Sequence, residues 1–202
     1  SCLIFYFVYF CKMKRFLDEN FKGKKVLVRV DFNVPLDDSF NITDDSRIQS
    51  ALPTIEKLIE DGAKIILMSH LGRPNGFENR FSLKHLVNHL EESLGVNTFF
   101  SEKCFGKETL ANIESLKNGE VLLLENLRFY KEETEGDLIF AKSLSKLADV
   151  YVNDAFGSAH RDHSSISIIT QFFPNNKYFG LLLKNEISRL EKVLILPKKP
   201  FT

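Results

Sequence analysis

Four short runs in this 202-residue chain are dominated by Val, Ile and Leu and do not alternate with polar residues: Val26–Val30, Ile65–Met68, Val121–Leu124 and Val150–Val152. A strand with one face in water alternates, because successive side chains point to opposite sides. A strand that reads apolar throughout is covered on both faces, as in a parallel sheet packed between helices. Helical patterns lie between the runs. Arg47 to Asp61 places Ile48, Ala51, Leu52, Ile55, Leu58 and Ile59 on one face and stops at Gly62, a predicted C-terminal cap. Ser82 to Leu94 repeats the plan, with Ser82 as predicted N-cap and Gly95 as stop, and Leu138 to Leu147 is a third helix. Val96 to Phe100 supplies a fifth strand candidate. The alternation predicts an α/β fold: a doubly wound, Rossmann-like, mostly parallel sheet of about six strands with helices on both faces.

Each of the four apolar runs leads into a polar loop. Asp31-Phe32-Asn33 comes after the first, and Ser69-His70-Leu71-Gly72-Arg73-Pro74 after the second. Glu125-Asn126-Leu127-Arg128-Phe129 succeeds the third, and Asn153-Asp154-Ala155-Phe156-Gly157-Ser158-Ala159-His160-Arg161 the fourth. In open α/β sheets, loops at the carboxyl ends of the strands converge on one crevice, and ligands bind there. Any single arginine is ordinarily a solvated surface residue. Arginine, histidine, aspartate and asparagine recurring at the same end of four strands predict a site for a small, multiply anionic ligand, because guanidinium forks match carboxylate and phosphate oxygens.

Composition removes other classes. The 27 basic and 27 acidic side chains cancel, which argues against a nucleic-acid binder. Cys2, Cys11 and Cys104 form neither a disulfide framework nor a zinc knuckle, so a reducing compartment is expected. His85 and His89 have helical metal-ligand spacing but no evident third ligand, so no metal site is expected. The charge run Lys131-Glu132-Glu133 with Glu135 reads as a solvated loop. No G-x-x-x-x-G-K-[ST] or G-x-G-x-x-G string occurs.

The four strand-end strings, joined by Asp44-Asp45-Ser46-Arg47-Ile48, Ala51-Leu52-Pro53-Thr54-Ile55 and the region Gly180 to Leu194, resemble the phosphoglycerate kinase family in order and spacing, from about Lys14 to Thr202. The resemblance implies a reversible transfer of the acyl phosphate of 1,3-bisphosphoglycerate to ADP, giving 3-phosphoglycerate and ATP, in a two-lobed glycolytic and gluconeogenic enzyme. It implies that Arg73, Arg128 and Arg161 hold the 3-phosphate and that Asp31 and Asn33 contact the hydroxyl and carboxyl end. His70 and His160 would line the same basic patch, and Arg47, the catalytic candidate, would reach the phosphoryl group in transfer. The magnesium nucleotide, Mg-ATP or Mg-ADP, would sit in a C-terminal half that this chain does not supply. No cofactor is therefore expected here, and the chain alone should bind phosphoglycerate and turn over negligibly. A non-catalytic phosphoglycerate-binding half or an interaction module is the alternative.

By the same reading residues 13–179 form the phosphoglycerate-binding domain, and residues 180–202 form an interdomain helix leading to the C-terminal half. Its apolar stripe from Leu181 to Leu194 would favour weak self-association. Tyr178-Phe179 is bulkier than expected beside Gly180. Residues 1–12 are an apolar leader whose run of ten, Cys2 to Cys11, falls short of the about 20 needed to span a membrane. It reads as an upstream extension. Cytoplasmic location without membrane contact is expected, with an organellar address left open by that leader.

Overall fold

The computed structural model describes residues 16–155, 157 and 162–187. Six strands, β1 (Lys25–Arg29), β2 (Lys64–Met68), β3 (Thr98–Ser101), β4 (Val121–Leu124), β5 (Val150–Asn153) and β6 (Lys177–Phe179), form one sheet in the order β3-β4-β2-β1-β5-β6. Every pairing is parallel. The expected mostly parallel sheet is thus wholly parallel, and all strand-end loops named above emerge on one side. From β1 the chain moves to β2, passes to the edge as β3, returns to place β4 between β3 and β2, and then crosses to β5 and β6 on the other side of β1. The switch therefore falls between β1 and β5, where the loops leave in opposite directions and open a crevice.

Period-2 alternation sorts the strand side chains into two cores. Val26, Val28, Ile65, Leu67, Val121, Leu123, Val150 and Val152 are buried on one face, and Leu27, Ile66, Met68, Leu122, Leu124 and Tyr151 on the other. Two apolar faces explain the lack of alternation in the sequence. The first face is covered by α1 (Ser46–Glu60), through Ile48, Ala51, Leu52, Ile55 and Leu58, and by Leu90 of α2 (Val87–Leu94). The second is covered by Ile113 of α3 (Lys107–Ser115) and by Phe140, Ala141 and Leu144 of α5 (Leu138–Ser145). Between α3 and α5 lies the short helix α4 (Lys131–Glu135).

The predicted helix ends are close to those found. Gly62 and Gly95 adopt left-handed φ of 72° and 65° just past α1 and α2. Ser82 caps as expected, accepting from the Lys84 amide at 3.2 Å, but the first turn it caps is 3-10, Leu83–Leu86, before α2 begins. One expectation is corrected outright. The charge run at 131–135 is helical, and Glu133 within it is fully buried because it has found distant polar partners. Tyr178 fits its place: it is buried on β6, edge-on to Phe21 at 5.3 Å, with its hydroxyl donating to Glu19 at 2.8 Å.

The leader, residues 188–202, His160 and Arg161 lie outside the described residues. Among the described residues no helix is long and apolar enough to cross a membrane.

Candidate functional site

The carboxyl end of the sheet carries a connected set of polar contacts built from three strand-end loops and one helix. Asp31, the second residue after β1, accepts from Arg47 Nη1 of α1 at 2.5 Å through Oδ2. Its other oxygen receives the Asn33 amide at 3.3 Å. Asn33 Oδ1 accepts the Gly72 amide at 2.8 Å, which joins the β1 loop to the β2 loop. The Gly72 carbonyl in turn accepts Arg128 Nη1 at 2.6 Å, which joins the β2 loop to the loop after β4. Gly72 is at φ 63°, and a Cβ there would lie 2.3 Å from the Phe81 ring, so glycine is required both by the turn and by the close approach. Across the switch point Gly157, in the loop after β5, comes so near Asp31 that a Cβ would sit 2.9 Å from Oδ2.

Arg73 and Arg128, from different loops, line one cleft of about 660 Å³ together with Phe129, Lys131 and the carboxylate of Glu132. Two guanidinium groups and an ammonium against one carboxylate leave the lining net positive, which suits a phosphate. A second depression at the opposite end of the sheet is lined by Glu91 and Glu120 and has the wrong sign for an anion. Arg47 keeps half of its side chain exposed despite its pairing with Asp31. Asp31 is mostly covered, but a pair open to solvent on the arginine side is worth only about 1 kcal/mol, so Arg47 can turn to a ligand anion at modest cost.

Loop residues read from the sequence as polar ligand groups divide into two sets in the fold. Asn126 is fully buried: its Nδ2 donates to the carbonyls of Leu71 and Phe81 at 2.8 and 2.9 Å, and its Oδ1 accepts the Arg128 amide at 3.0 Å. Glu125 is nearly as buried, accepting from the Ser82 hydroxyl and from the amides of Leu83 and Asn126. Both hold loops in place rather than facing the cleft. Cys104, whose thiol donates to the Glu125 carbonyl at 2.9 Å, is pushed well above the ordinary thiol range by burial and is inert. His85 and His89 are half-buried. His85 stacks on Phe40 at 4.3 Å, and His89 Nε2 lies 3.1 Å from Asp45 Oδ2. Among the described residues no group of three or more His, Cys, Asp or Glu is placed to hold a metal ion.

Beneath the site runs a buried network in which sequence reasoning gave Arg29, Glu133 and Ser165 no part. Arg29, the last residue of β1, is 1% exposed. It donates from Nε to Ser165 Oγ at 3.0 Å and from Nη1 to the Val30 carbonyl, and its Nη2 lies 3.1 Å from His70 Nδ1. Glu133 accepts from the Ser165 hydroxyl at 2.6 Å and from the Ser165 amide at 3.0 Å. Burial raises the Glu133 carboxyl above its ordinary range, an effect that Arg29 and the Ser165 hydrogen bonds partly offset. The one available signal was a charged residue inside the otherwise apolar run Val26–Val30, since buried arginines are rare unless paired.

Asp154, after β5, is also fully buried. Its Oδ1 accepts the Leu183 amide at 3.0 Å, and its Oδ2 has no hydrogen-bond partner among the described residues. It thus anchors the helical residues 181–187, while Thr54 of α1 accepts the Leu181 amide at 2.9 Å. Burial pushes the Asp154 carboxyl from 3.8 up to about 6, with the Thr54 hydroxyl and the Leu183 and Leu182 amides offsetting part of the rise. A carboxyl raised in the fold contributes its stability below the unfolded value, and that stability is lost as pH rises through the folded value. The window is about pH 4 to 6, and a shift of this size is worth about 3 kcal/mol. Asp154→Asn should therefore gain about that much relative to the unaltered chain between pH 4 and pH 7, read from urea midpoints. Parallel stability curves would contradict this.

Known proteins share this arrangement of sequence and fold. The family model for phosphoglycerate kinase matches residues 16–202. The chain is 53% identical over 180 residues to phosphoglycerate kinase 2, chloroplastic, of Arabidopsis thaliana, covering 89% of this chain and 37% of that protein. It is 51% identical over 184 residues to the cytosolic phosphoglycerate kinase of Triticum aestivum, covering 91% of this chain and 46% of that one. The crystal structure of phosphoglycerate kinase from Pyrococcus horikoshii OT3 superposes with a TM-score of 0.83 at 36% identity, over 93% of this chain and 47% of that chain. The chain spans less than half the length of each of these three. Relatives thus occur in both the cytosol and the chloroplast.

Proposed function

Since this chain belongs to the phosphoglycerate kinase family, we propose that it supplies the 3-phosphoglycerate site of the reversible phosphoryl transfer between 1,3-bisphosphoglycerate and ADP. The observation that carries this reading is the continuous contact path from Arg47 through Asp31, Asn33 and Gly72 to Arg128, at the carboxyl end of the sheet beside the Arg73 cleft. In this reading Arg73 and Arg128, with Arg161, hold the 3-phosphate. Asp31 and Asn33 meet the hydroxyl and carboxyl end, and His70 and His160 line the patch. Arg47 leaves Asp31 to meet the phosphoryl group as charge develops on its oxygens.

That division of labour suits the chemistry. Phosphoryl transfer gives the protein little covalent work, so rate comes from positioning and from charge stabilisation on the moving oxygens. Residues 13–179 form the phosphoglycerate-binding unit, and 180–202 lead towards the half that holds Mg-ATP or Mg-ADP. The chain acts in the cytosol in this reading. Alone it binds phosphoglycerate without turnover, because donor and acceptor are not brought in line.

Calorimetric titration tests the substrate. 3-Phosphoglycerate is expected to bind at least tenfold more tightly than glycerate, which lacks the phosphate, and ATP formation from 1,3-bisphosphoglycerate and ADP should require the C-terminal half. Equal binding of the two acids, or turnover by the chain alone, would overturn the assignment.

A further inference from the structure

His70 lies two residues past β2 at the carboxyl end of the sheet and is almost completely buried. The side chain against its Nδ1, at 3.1 Å, is the guanidinium of Arg29. A guanidinium has five N–H donors, no acceptor, and does not give up its proton within a protein. The contact can therefore exist only if Nδ1 carries a lone pair. The imidazole is then neutral, with its proton on Nε2. An imidazolium would set N–H against N–H and two positive charges side by side, with little water to screen them.

Arg29 cannot turn away to relieve such a clash, because it is held on its other edge. Its Nε–H donates to Ser165 Oγ, which leaves that hydroxyl to donate its single proton to Glu133 Oε1 at 2.6 Å. Ser165 is fixed in turn by its amide bond to Glu133 at 3.0 Å and by the Tyr151 hydroxyl, which donates to its carbonyl at 2.8 Å. The direction of every bond in the series is set by which partner can donate. Glu133 carries most of the balancing charge, Tyr151 and Asp31 also act on Arg29, and His163 Nδ1 lies 3.8 Å from Glu133 Oε1.

We propose that Arg29 is a positioning residue that locks His70 in the neutral Nε2–H tautomer, so that His70 meets the phosphoglycerate as an uncharged hydrogen-bond donor. The role in substrate binding rests on the function proposed above; the tautomer itself does not. The consequence is a division within the site. Arginines neutralise the anion, while His70 contributes direction without charge and without a protonation event in the physiological range. An ordinary histidine would change charge near pH ~6.5, close to where a phosphate monoester titrates at about 6. Both partners of the contact would then change charge together.

The test is a long-range proton–nitrogen NMR spectrum of the chain with labelled histidine rings, the His70 signals being identified by their loss in His70→Gln. The expected result is the Nε2–H pattern at pH 7, persisting at about pH 5.5, where an ordinary histidine is mostly protonated. In the double variant Arg29→Met, Glu133→Gln, which removes both buried charges together, His70 should titrate near ~6.5. Its 3-phosphoglycerate affinity should then rise on acidification relative to the unaltered chain. Arg29→Lys, whose ammonium also only donates, should restore part of the Nε2–H population. An Nδ1–H or imidazolium pattern in the unaltered chain at pH 7 would overturn the proposal, with or without a folded variant. So would an unchanged His70 pattern in a folded double variant, since a purely structural Arg29 would leave the tautomer alone. Failure of 3-phosphoglycerate to bind would instead count against the substrate reading and leave the tautomer result standing.

Discussion

Alanine at position 126 should lower the stability of the fold by about 3 kcal/mol or more and abolish phosphoglycerate binding with it. The Asn126 amide donates to the carbonyls of Leu71 and Phe81, and its oxygen accepts the Arg128 amide. Truncation leaves three backbone groups without their partner in a place where Asn126 itself is fully buried. Each unsatisfied buried group costs about 1–3 kcal/mol, and the two carbonyls recover part of this by relaxing toward water. The same three bonds tie the β2 loop, the 3-10 turn at Asn79–Phe81 and the turn that carries Arg128 into one unit. Loosening them moves Arg73 and Arg128 apart. Asn126→Asp sharpens the test: it keeps the acceptor for the Arg128 amide but turns an oxygen toward two carbonyls. It should be as damaging as alanine near neutral pH, and a urea midpoint equal to that of the unaltered chain would contradict the account.

The second large effect is on affinity. Arg128→Ala should weaken 3-phosphoglycerate binding about 100-fold, equivalent to about 2.7 kcal/mol, while changing stability by only about 1 kcal/mol. The stability loss is small because the Gly72 carbonyl that it releases is only half-buried and can turn to water. Binding suffers more because a charge-assisted fork to a phosphate is lost, and lysine should restore little of it, since a point charge does not reproduce the planar pair of donors. An Arg128→Ala chain that binds at the original affinity would show that the cleft is not the phosphate site.

Most of the architecture was legible because its physical cause is local. Strands covered on both faces read as unbroken apolar runs, and α1, α2 and α5 announce themselves by spacing and by their caps or stops. The elements that escaped were held by distant partners. β6 has three residues, Lys177-Tyr178-Phe179, paired on one side only to β5 at the sheet edge, too short and mixed for a periodic signal. α3 buries Thr109 and Ile113 while Leu110 is substantially exposed, so its apolar face is faint.

Glu133 is the clearest case. A charge among charges reads as solvated, and only Ser165, 32 residues on, and Arg29 on β1 make its burial tolerable. The site divides in the same way. Strand order decides which loops meet, so Asp31, Asn33, His70, Arg73 and Arg128 were expected together. That Arg47 rests on Asp31 and His70 on Arg29 depends on side-chain placement that no spacing encodes.

The central claim is that the loops at the carboxyl end of this sheet form a working phosphoglycerate site. Its most direct test is an amide proton–nitrogen NMR titration of the chain from Met13 onward with 3-phosphoglycerate at low salt. The account predicts dispersed peaks, with shifts concentrated at residues 31–33, 70–76 and 126–131, which vanish in Arg73→Ala. Dispersed peaks that ignore the ligand, or that shift equally in Arg73→Ala, would contradict it.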